Sequence, residues 1–262
     1  ITRMLEINPI SAFSDNYIWL LRRPGGAFAA VVDPGDAVPV IQRLRQDGLS
    51  LEAIMITHKH GDHVGGVKEL KRIWPEAVVY GPAGEPIPAL ERALTDGDQI
   101  KLDGVAAEFL VLDVPGHTEG HIAYLGQDAL FCGDTLFAAG CGRVFSGTHE
   151  QLHRSLQRIA ALPPETRIYC AHEYTLDNLG FAAWVEPKNK DIAQRRREAE
   201  ETRAGDRPTV PSRLGLELRT NPFLRSGEPA VVAAAERYAG RGLQSSAAVF
   251  KAIRTWKDRE YD

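Results

Sequence analysis

The chain has 262 residues, 44% hydrophobic and 25% charged, with a formal net charge of -4. That length can bury a substantial core in one large domain or two smaller ones, and the composition is ordinary for a soluble globular protein. The acidic balance argues against a nucleic-acid binder, no apolar run approaches membrane-spanning length, and no signal-peptide pattern is present. Cys132, Cys141 and Cys170 are widely separated, odd in number and free of any CxxC, which reads as reduced cysteines in a cytosolic protein. Met4 reads as the natural start, with Ile1-Thr2-Arg3 a remnant of an expression tag.

Residues 4–10 and 16–21 read as two early strands joined by a polar link, in which Phe13 is a candidate ligand-facing aromatic. Residues 28–32 read as another strand, stopping at Asp33-Pro34-Gly35-Asp36. Asp33, at that strand end, suits either a hydrogen bond to a metal-ligating histidine or a turn- or helix-capping role. Val38, Ile41 and Leu44 mark one face of a helix over 38–47, closed by Gly48. A buried strand follows over 51–56, then a helix over 64–74 and a short strand over 78–80. Residues 85–94, with their prolines, read as loop or short helix, and 100–112 as a hairpin turning at Gly104. Strands over 111–114, 122–125, 129–132 and 166–170 and a helix over 150–162 complete this part. Beyond about residue 175 the pattern becomes helical, over 188–205, 228–239 and 245–256, with no convincing strand. A mixed sheet covered by helices, followed by a helical domain starting between Tyr174 and Pro187, is the organisation these periods predict.

The stretch Thr57-His58-Lys59-His60-Gly61-Asp62-His63 places three of the chain's eight histidines and a carboxylate just past an apolar strand. Packing explains this poorly, because neighbouring buried imidazoles each need partners for two ring nitrogens, whereas a metal takes imidazole nitrogen and carboxylate oxygen together. In extended chain His58 and His60 point the same way. Asp62 and His63 can serve a second point if the chain turns helical at Gly61, with the small Gly65 and Gly66 letting backbone or metal sit close. The same logic recurs at Pro115-Gly116-His117, at Gly133-Asp134-Thr135 and at Ala171-His172. Four strand-end loops thus name His58, His60, Asp62, His63, His117, Asp134 and His172 as ligands, at the place where sites form in layered α/β folds. Asp134, with two oxygens, suits a bridge between two cations. His121 reads as structural or as a support for a ligand, and His149 and His153 as surface or ordinary helix residues. The glycine-bounded bend Gly140-Cys141-Gly142 is suited to presenting Arg143 to a substrate. Arg254 and Lys257, one helical step apart, suit either an anionic substrate group or a solvated helix end.

On these residues the chain resembles the metallo-β-lactamase superfamily, whose THxHxDH signature stands intact as Thr57 to His63, and within it the hydroxyacylglutathione hydrolases, or glyoxalase II. Ala139-Gly140-Cys141-Gly142-Arg143, His172-Glu173-Tyr174-Thr175 with Asn178, Asn221-Pro222-Phe223-Leu224-Arg225 and Arg254-Thr255-Trp256-Lys257-Asp258 extend the resemblance over nearly the whole chain. It implies a four-layer αββα sandwich over 1–175 as the metal hydrolase domain, and a smaller all-helical, substrate-binding domain over 176–262. It further implies two divalent ions, zinc first with iron or manganese as alternatives: His58, His60 and His117 on one, Asp62, His63 and His172 on the other, and Asp134 shared. Glutathione would be held by Arg143, Tyr174, Asn178, Arg254 and Lys257. Where the family has a tyrosine two places after the loop's basic residue, this chain has Phe145, whose ring can pack but whose hydroxyl is absent.

The implied reaction is hydrolysis of S-(2-hydroxyacyl)glutathione, typically S-D-lactoylglutathione, by a metal-bridging hydroxide, with Asp62 also orienting the nucleophile and Asp134 completing the catalytic pair. The expected protein is a cytoplasmic monomer with a small-molecule substrate, without nucleic-acid or membrane partner, acting on the product of a glyoxalase I without a stable complex. Rival readings are a glutathione persulfide (sulfur) dioxygenase, a lactonase or β-lactamase of the same fold, an RNA-processing nuclease, and a metal-stabilised module without catalysis. A structural metal site would be closed by four ligands, whereas seven around two ions leave open positions.

Overall fold

A computed structural model describes residues 5–261; the expectations at Met4 and at Ile1-Thr2-Arg3 lie outside the described residues. Among the described residues two compact units emerge, 5–114 with 118–133, and 115–117 with 134–261.

The first unit opens with β1 (Glu6–Ala12), β2 (Asn16–Arg22), β3 (Phe28–Val32), α1 (Ala37–Asp47) and β4 (Ser50–Met55). The short helices α2 (Gly61–Val64) and α3 (Val67–Ile73) come next, then β5 (Val78–Pro82) and β6 (Arg92–Leu94). Strands β1 to β6 form one sheet in chain order, antiparallel across β1–β3 and parallel across β3–β6. Strands β7 (Gln99–Leu102), β8 (Ala107–Asp113), β9 (Ile122–Gly126) and β10 (Ala129–Gly133) pair antiparallel as a second layer.

In β2 every position from Asn16 to Leu21 is buried. Side chains alternate across a strand, so Ile18 and Leu20 join the core shared with Val40 and Leu44 of α1 and with Val67 and Leu70 of α3. Trp19 and Leu21 are buried on the opposite face. The Tyr124 hydroxyl of β9 donates to the Ile56 carbonyl at 2.7 Å, pinning the second layer to the strand end before His58. Local chemistry sets the helix ends. Asp36 caps α1 by accepting from the Val38 N–H, and Gly48 closes it in the left-handed region at φ 65°.

The predicted 64–74 helix is broken in two, and the reason is steric. Gly66 donates to the Pro34 carbonyl at 2.9 Å, and a Cβ there would stand 2.6 Å from both that oxygen and the Ala37 nitrogen. Gly65 and Gly66 therefore admit the β3–α1 turn rather than a ligand. Residues 85–94 end in β6 instead of a helix, because Arg92–Leu94 pairs parallel with Tyr80–Pro82.

The second unit contains β11 (Leu136–Phe137), β12 (Gly140–Cys141), α4 (His149–Ala160), β13 (Arg167–Cys170), α5 (Thr175–Val185) and α6 (Lys190–Ala204). It continues through β14 (Ser212–Arg213), α7 (Leu214–Thr220), α8 (Pro229–Ala239), α9 (Ser246–Trp256) and a short π-helix over Lys257–Tyr261. A full capping box at Thr148 and Gln151 starts α4, and Asn189 and Ser245 cap α6 and α9. Helix α5 left no amphipathic signature because it is buried nearly all round, and α7 is only seven residues long. The short β14, antiparallel to β13, corrects the expectation of no strand beyond 175. His153 is not on the surface: its ring lies 5.5 Å from that of Phe250, with Nε2 3.3 Å from the Ser226 hydroxyl. No described helix is long and apolar enough to cross a membrane.

A Cβ on Gly35 would run into the Asp62 carbonyl, while one on Gly61 would meet nothing within 4 Å. Gly35→Ala is expected to lower the unfolding free energy by about 1–3 kcal/mol, and Gly61→Ala to leave it within about 1 kcal/mol of the parent, measured by urea unfolding. Equal midpoints for the two variants would contradict this packing.

Candidate metal centre

In the first unit the strand β4 runs through Ile56 and Thr57 into the histidine turn. Asp33, buried and at φ 54°, organises it from the end of β3. Its Oδ1 accepts the Thr57 N–H at 2.8 Å, and its Oδ2 accepts the Thr57 hydroxyl at 2.7 Å. The same Oδ2 lies 3.0 Å from His63 Nδ1. A carboxylate and a hydroxyl with its proton already donated can only accept, and this fixes two tautomers. His63 carries its proton on Nδ1, toward Asp33. His58, with Nδ1 3.1 Å from the Thr57 oxygen, carries its own there too. In both rings Nε2 is left with a lone pair.

Those lone pairs face other ligand-type atoms. His63 Nε2 lies 3.5 Å from Asp62 Oδ2, and His58 Nε2 lies 3.0 Å from His60 Nδ1. Asn16 donates to the same Asp62 oxygen at 3.1 Å, so β2 steers that carboxylate. Asp33, His58 and His63 offer ligand atoms all within 4.8 Å of one another, but the oxygens of Asp33 already serve Thr57 and His63. Asp33 thus stands behind the imidazoles, holding His63 directly and His58 through Thr57. His121, fully buried, stacks on His58 at 4.5 Å and 18°.

The second unit repeats the arrangement. His117 Nδ1 lies 2.8 Å from the Arg143 carbonyl, an obligate acceptor, so that nitrogen holds the proton and Nε2 the lone pair. His117 Nε2 is 3.4 Å from Asp134 Oδ2, and His172 Nε2 is 3.4 Å from Asp134 Oδ1. All three residues are buried. Such distances exceed a good N–H···O contact. Two ligand atoms each about 2.0–2.1 Å from a tetrahedral ion lie about 3.4 Å apart. A carboxylate with one imidazole on each oxygen therefore has the chemistry and spacing of a metal-ligand group. The His/Asp clusters can hold one or two divalent metal ions.

The thiols take no part. Burial pushes Cys141 up to about 11 against the opposing pull of Arg254, and pushes Cys170 up to about 12, so neither supplies a thiolate at neutral pH.

The six residues expected to contact substrate fall into two groups. Arg143 is half exposed, with Nε 3.8 Å from Asp258. Phe145 is 65% exposed and sets its ring against His117 at 5.2 Å and 87°. Tyr174 is also exposed and stacks on His172 at 4.7 Å and 8°, with Phe137 packed against both rings. The other three are buried. Asn178 donates to the Ala138 carbonyl at 3.1 Å. Arg254 donates to the Cys141 carbonyl at 2.9 Å and to Asp258 at 2.8 Å, over the Phe223 ring. Lys257 donates to Asp177 at 3.1 Å.

Two further residues, to which the sequence assigns no role in the site, bind here. Glu217, fully buried, accepts from the Ala139 N–H at 2.8 Å and from Arg195 at 2.5 Å. Asn221 donates to the Gly140 carbonyl at 2.9 Å. With Asn178 and Arg254 they hold the loop that follows Asp134; only the Asn-Pro-Phe motif at 221–223 gave a signal in sequence.

Fold and clusters together define a metal-dependent hydrolase of the metallo-β-lactamase superfamily. The model of that superfamily matches residues 13–172, and that of the hydroxyacylglutathione hydrolase C-terminus matches residues 173–260. The hydroxyacylglutathione hydrolase of Alkalilimnicola ehrlichii is 55% identical over 256 residues, covering 98% of this chain and 100% of that protein. Among solved structures, ETHE1 from Myxococcus xanthus superposes with a TM-score of 0.67 at 23% identity, over 98% of this chain and 93% of its own, a likeness of fold. TTHA1623 in a di-iron-bound form gives 0.58 at 29% identity, over 82% of this chain and 99% of its own. The chain belongs to the hydroxyacylglutathione hydrolase (glyoxalase II) family. Its fold is accordingly the αββα sandwich followed by a helical C-terminal domain.

Asp134→Ala removes the carboxylate that faces both His117 and His172. Elemental analysis of the purified variant is expected to show metal loading abolished, with a far-UV circular dichroism spectrum like the parent's. Retention of the parent's metal content would contradict the ligand assignment.

Proposed function

We propose that the chain hydrolyses the thioester of S-(2-hydroxyacyl)glutathione, S-D-lactoylglutathione in the first instance, to glutathione and a 2-hydroxy acid. The observation that carries this reading is the match of residues 173–260 to the hydroxyacylglutathione hydrolase C-terminus, directly after the metal-ligand set. His58, His60, Asp62, His63, His117, Asp134 and His172 are taken as the ligands of two divalent ions. Zinc is the first choice for this imidazole and carboxylate set, and iron, with manganese, the alternative; the di-iron form of TTHA1623 supports iron. When bound, such ions supply hydroxide at neutral pH and a Lewis acid for the thioester carbonyl oxygen.

The chain's own residues do the rest. Asp33, Thr57 and the Arg143 carbonyl keep His63, His58 and His117 in the tautomers that present Nε2. Asn16 holds one Asp62 oxygen, leaving that carboxylate aimed to orient the nucleophile. Water adds across the acyl carbon–sulfur bond, the acid keeps the oxygen, and the sulfur leaves as thiolate. A thiol with pKa about 8.5 needs little help from a general acid, which fits the absence of a dedicated acid from the seven-residue set. Arg143 and Tyr174, exposed beside His117 and His172, make the direct contacts with the tripeptide, and Phe145 contributes ring packing alone. Asn178 and Arg254 act from behind by holding the Ala138 and Cys141 carbonyls of the loop. Lys257 offers its ammonium to a glutathione carboxylate in exchange for Asp177. The protein is taken as a cytoplasmic monomer working on free substrate; the buried, unlinked thiols suit a reducing compartment.

The test is thioester cleavage of S-D-lactoylglutathione, run beside oxygen uptake with glutathione persulfide and turnover of nitrocefin. Thioester turnover alone is expected; oxygen uptake or nitrocefin turnover in its place would overturn the reading. In the same assay Lys257→Ala is expected mainly to raise KM, whereas Asp134→Ala abolishes turnover. Phe145→Tyr, restoring the hydroxyl, is expected to lower KM with kcat little changed. Equal loss of kcat in the Lys257 and Asp134 variants, with metal retained, would count against this division of labour.

A further inference from the structure

We propose that Glu85 is a positioning residue of the metal centre, its carboxylate gripping the peptide between His58 and His60 and thereby aiming the two imidazoles. The proposal rests on the reading above that these histidines are ligands.

Glu85 sits in the turn after β5 and is 6% exposed. Its Oε2 accepts the Lys59 N–H at 2.6 Å, and its Oε1 accepts the Gly120 N–H at 3.0 Å. Among the described residues no cationic side chain pairs with it. A buried carboxylate without a counter-charge is costly, and two backbone donors offset only part of that cost. A chain needing only to fill this turn would do better with a neutral side chain.

What the carboxylate touches explains its presence. Lys59 is the residue between His58 and His60, and holding its N–H fixes the peptide plane shared with His58. The other oxygen reaches the residue before His121, the ring that stacks on His58. A Cβ on Gly120 would stand 2.5 Å from Glu85 Cγ, so this second grip requires glycine. On the far side Asp33 takes the Thr57 N–H and hydroxyl. His58 is therefore held by one acid ahead of it and another behind it. Charge-assisted contacts to backbone N–H groups are strong and directional, which suits aiming a ligand better than filling space.

Glu85→Gln keeps the size but turns an amide NH2 toward one of the two N–H donors. Zinc affinity of the metal-free protein, measured by competition with a chromophoric chelator well below the unfolding temperature, is expected to weaken about 10–100-fold. Gly120→Ala is expected to shift affinity in the same direction. The d–d absorption of the cobalt(II)-loaded Gln variant is expected to change, reporting altered ligand geometry. A purely structural Glu85 would lower the thermal midpoint and leave affinity and spectrum at parental values, and that result overturns the proposal. In the parent itself, hydrogen exchange at the Lys59 and Gly120 amides is expected to be slow without metal, and fast exchange at Lys59 overturns it equally. A parent that binds no zinc sinks the underlying ligand reading as well; parental affinity in both variants sinks the Glu85 proposal alone.

Discussion

The structure depends on imidazole rings whose protons are already committed elsewhere. His63 gives its Nδ1 proton to Asp33, His117 gives its own to the Arg143 carbonyl, and His58 turns its own toward Thr57. Each is left with a lone pair on Nε2, directed at a second ligand-type atom 3.0–3.5 Å away. Where the neighbour is the Asp62 or Asp134 carboxylate, two acceptors face each other, and they repel unless a proton or a cation stands between them. Side-chain orientation thus sets what these clusters can offer a metal ion, and the acceptors behind the imidazoles set that orientation.

Much of the chain around the site serves to hold those acceptors still. In the first unit the demand falls on backbone approach. Gly35, Gly65 and Gly66 let the turn after β3 press against the helical turn that carries Asp62 and His63, at separations no Cβ would tolerate. In the second unit it falls on polar side chains reaching in from helices. Asn178 from α5, Glu217 from α7 and Arg254 from α9, together with Asn221 just past α7, bind successive peptide groups of the loop after Asp134. The helical region thus holds the backbone of the loop that follows Asp134.

The histidine and aspartate clusters and the strand ends carrying them were legible in the sequence because both signals are local: an apolar run, then histidine and aspartate at fixed spacing. The helix over Ala37–Asp47, with its Gly48 stop, was legible for the same reason, although Val38, expected on its apolar face, is exposed and Ala37, Val40 and Leu44 are the buried positions. What escaped depends on contacts distant along the chain. The break at Gly65-Gly66 is imposed by a turn some thirty residues earlier, β6 exists by pairing with β5, and α5 is too uniformly buried to show a period. Asn178 and Arg254 are legible as polar residues of the family motif, yet their engagement with the Ala138 and Cys141 carbonyls is visible only in three dimensions. Glu85 gave no sign at all, since an acid among prolines looks like a solvated loop until its burial is seen.

The most direct test is a titration of the metal-free chain with zinc, followed at once by binding and by cleavage of S-D-lactoylglutathione. The account predicts no thioester cleavage before metal is added, activity that rises with occupancy, and saturation at two ions per chain. Cleavage by the metal-free protein, or full activity reached with one ion and no site for another, would contradict it.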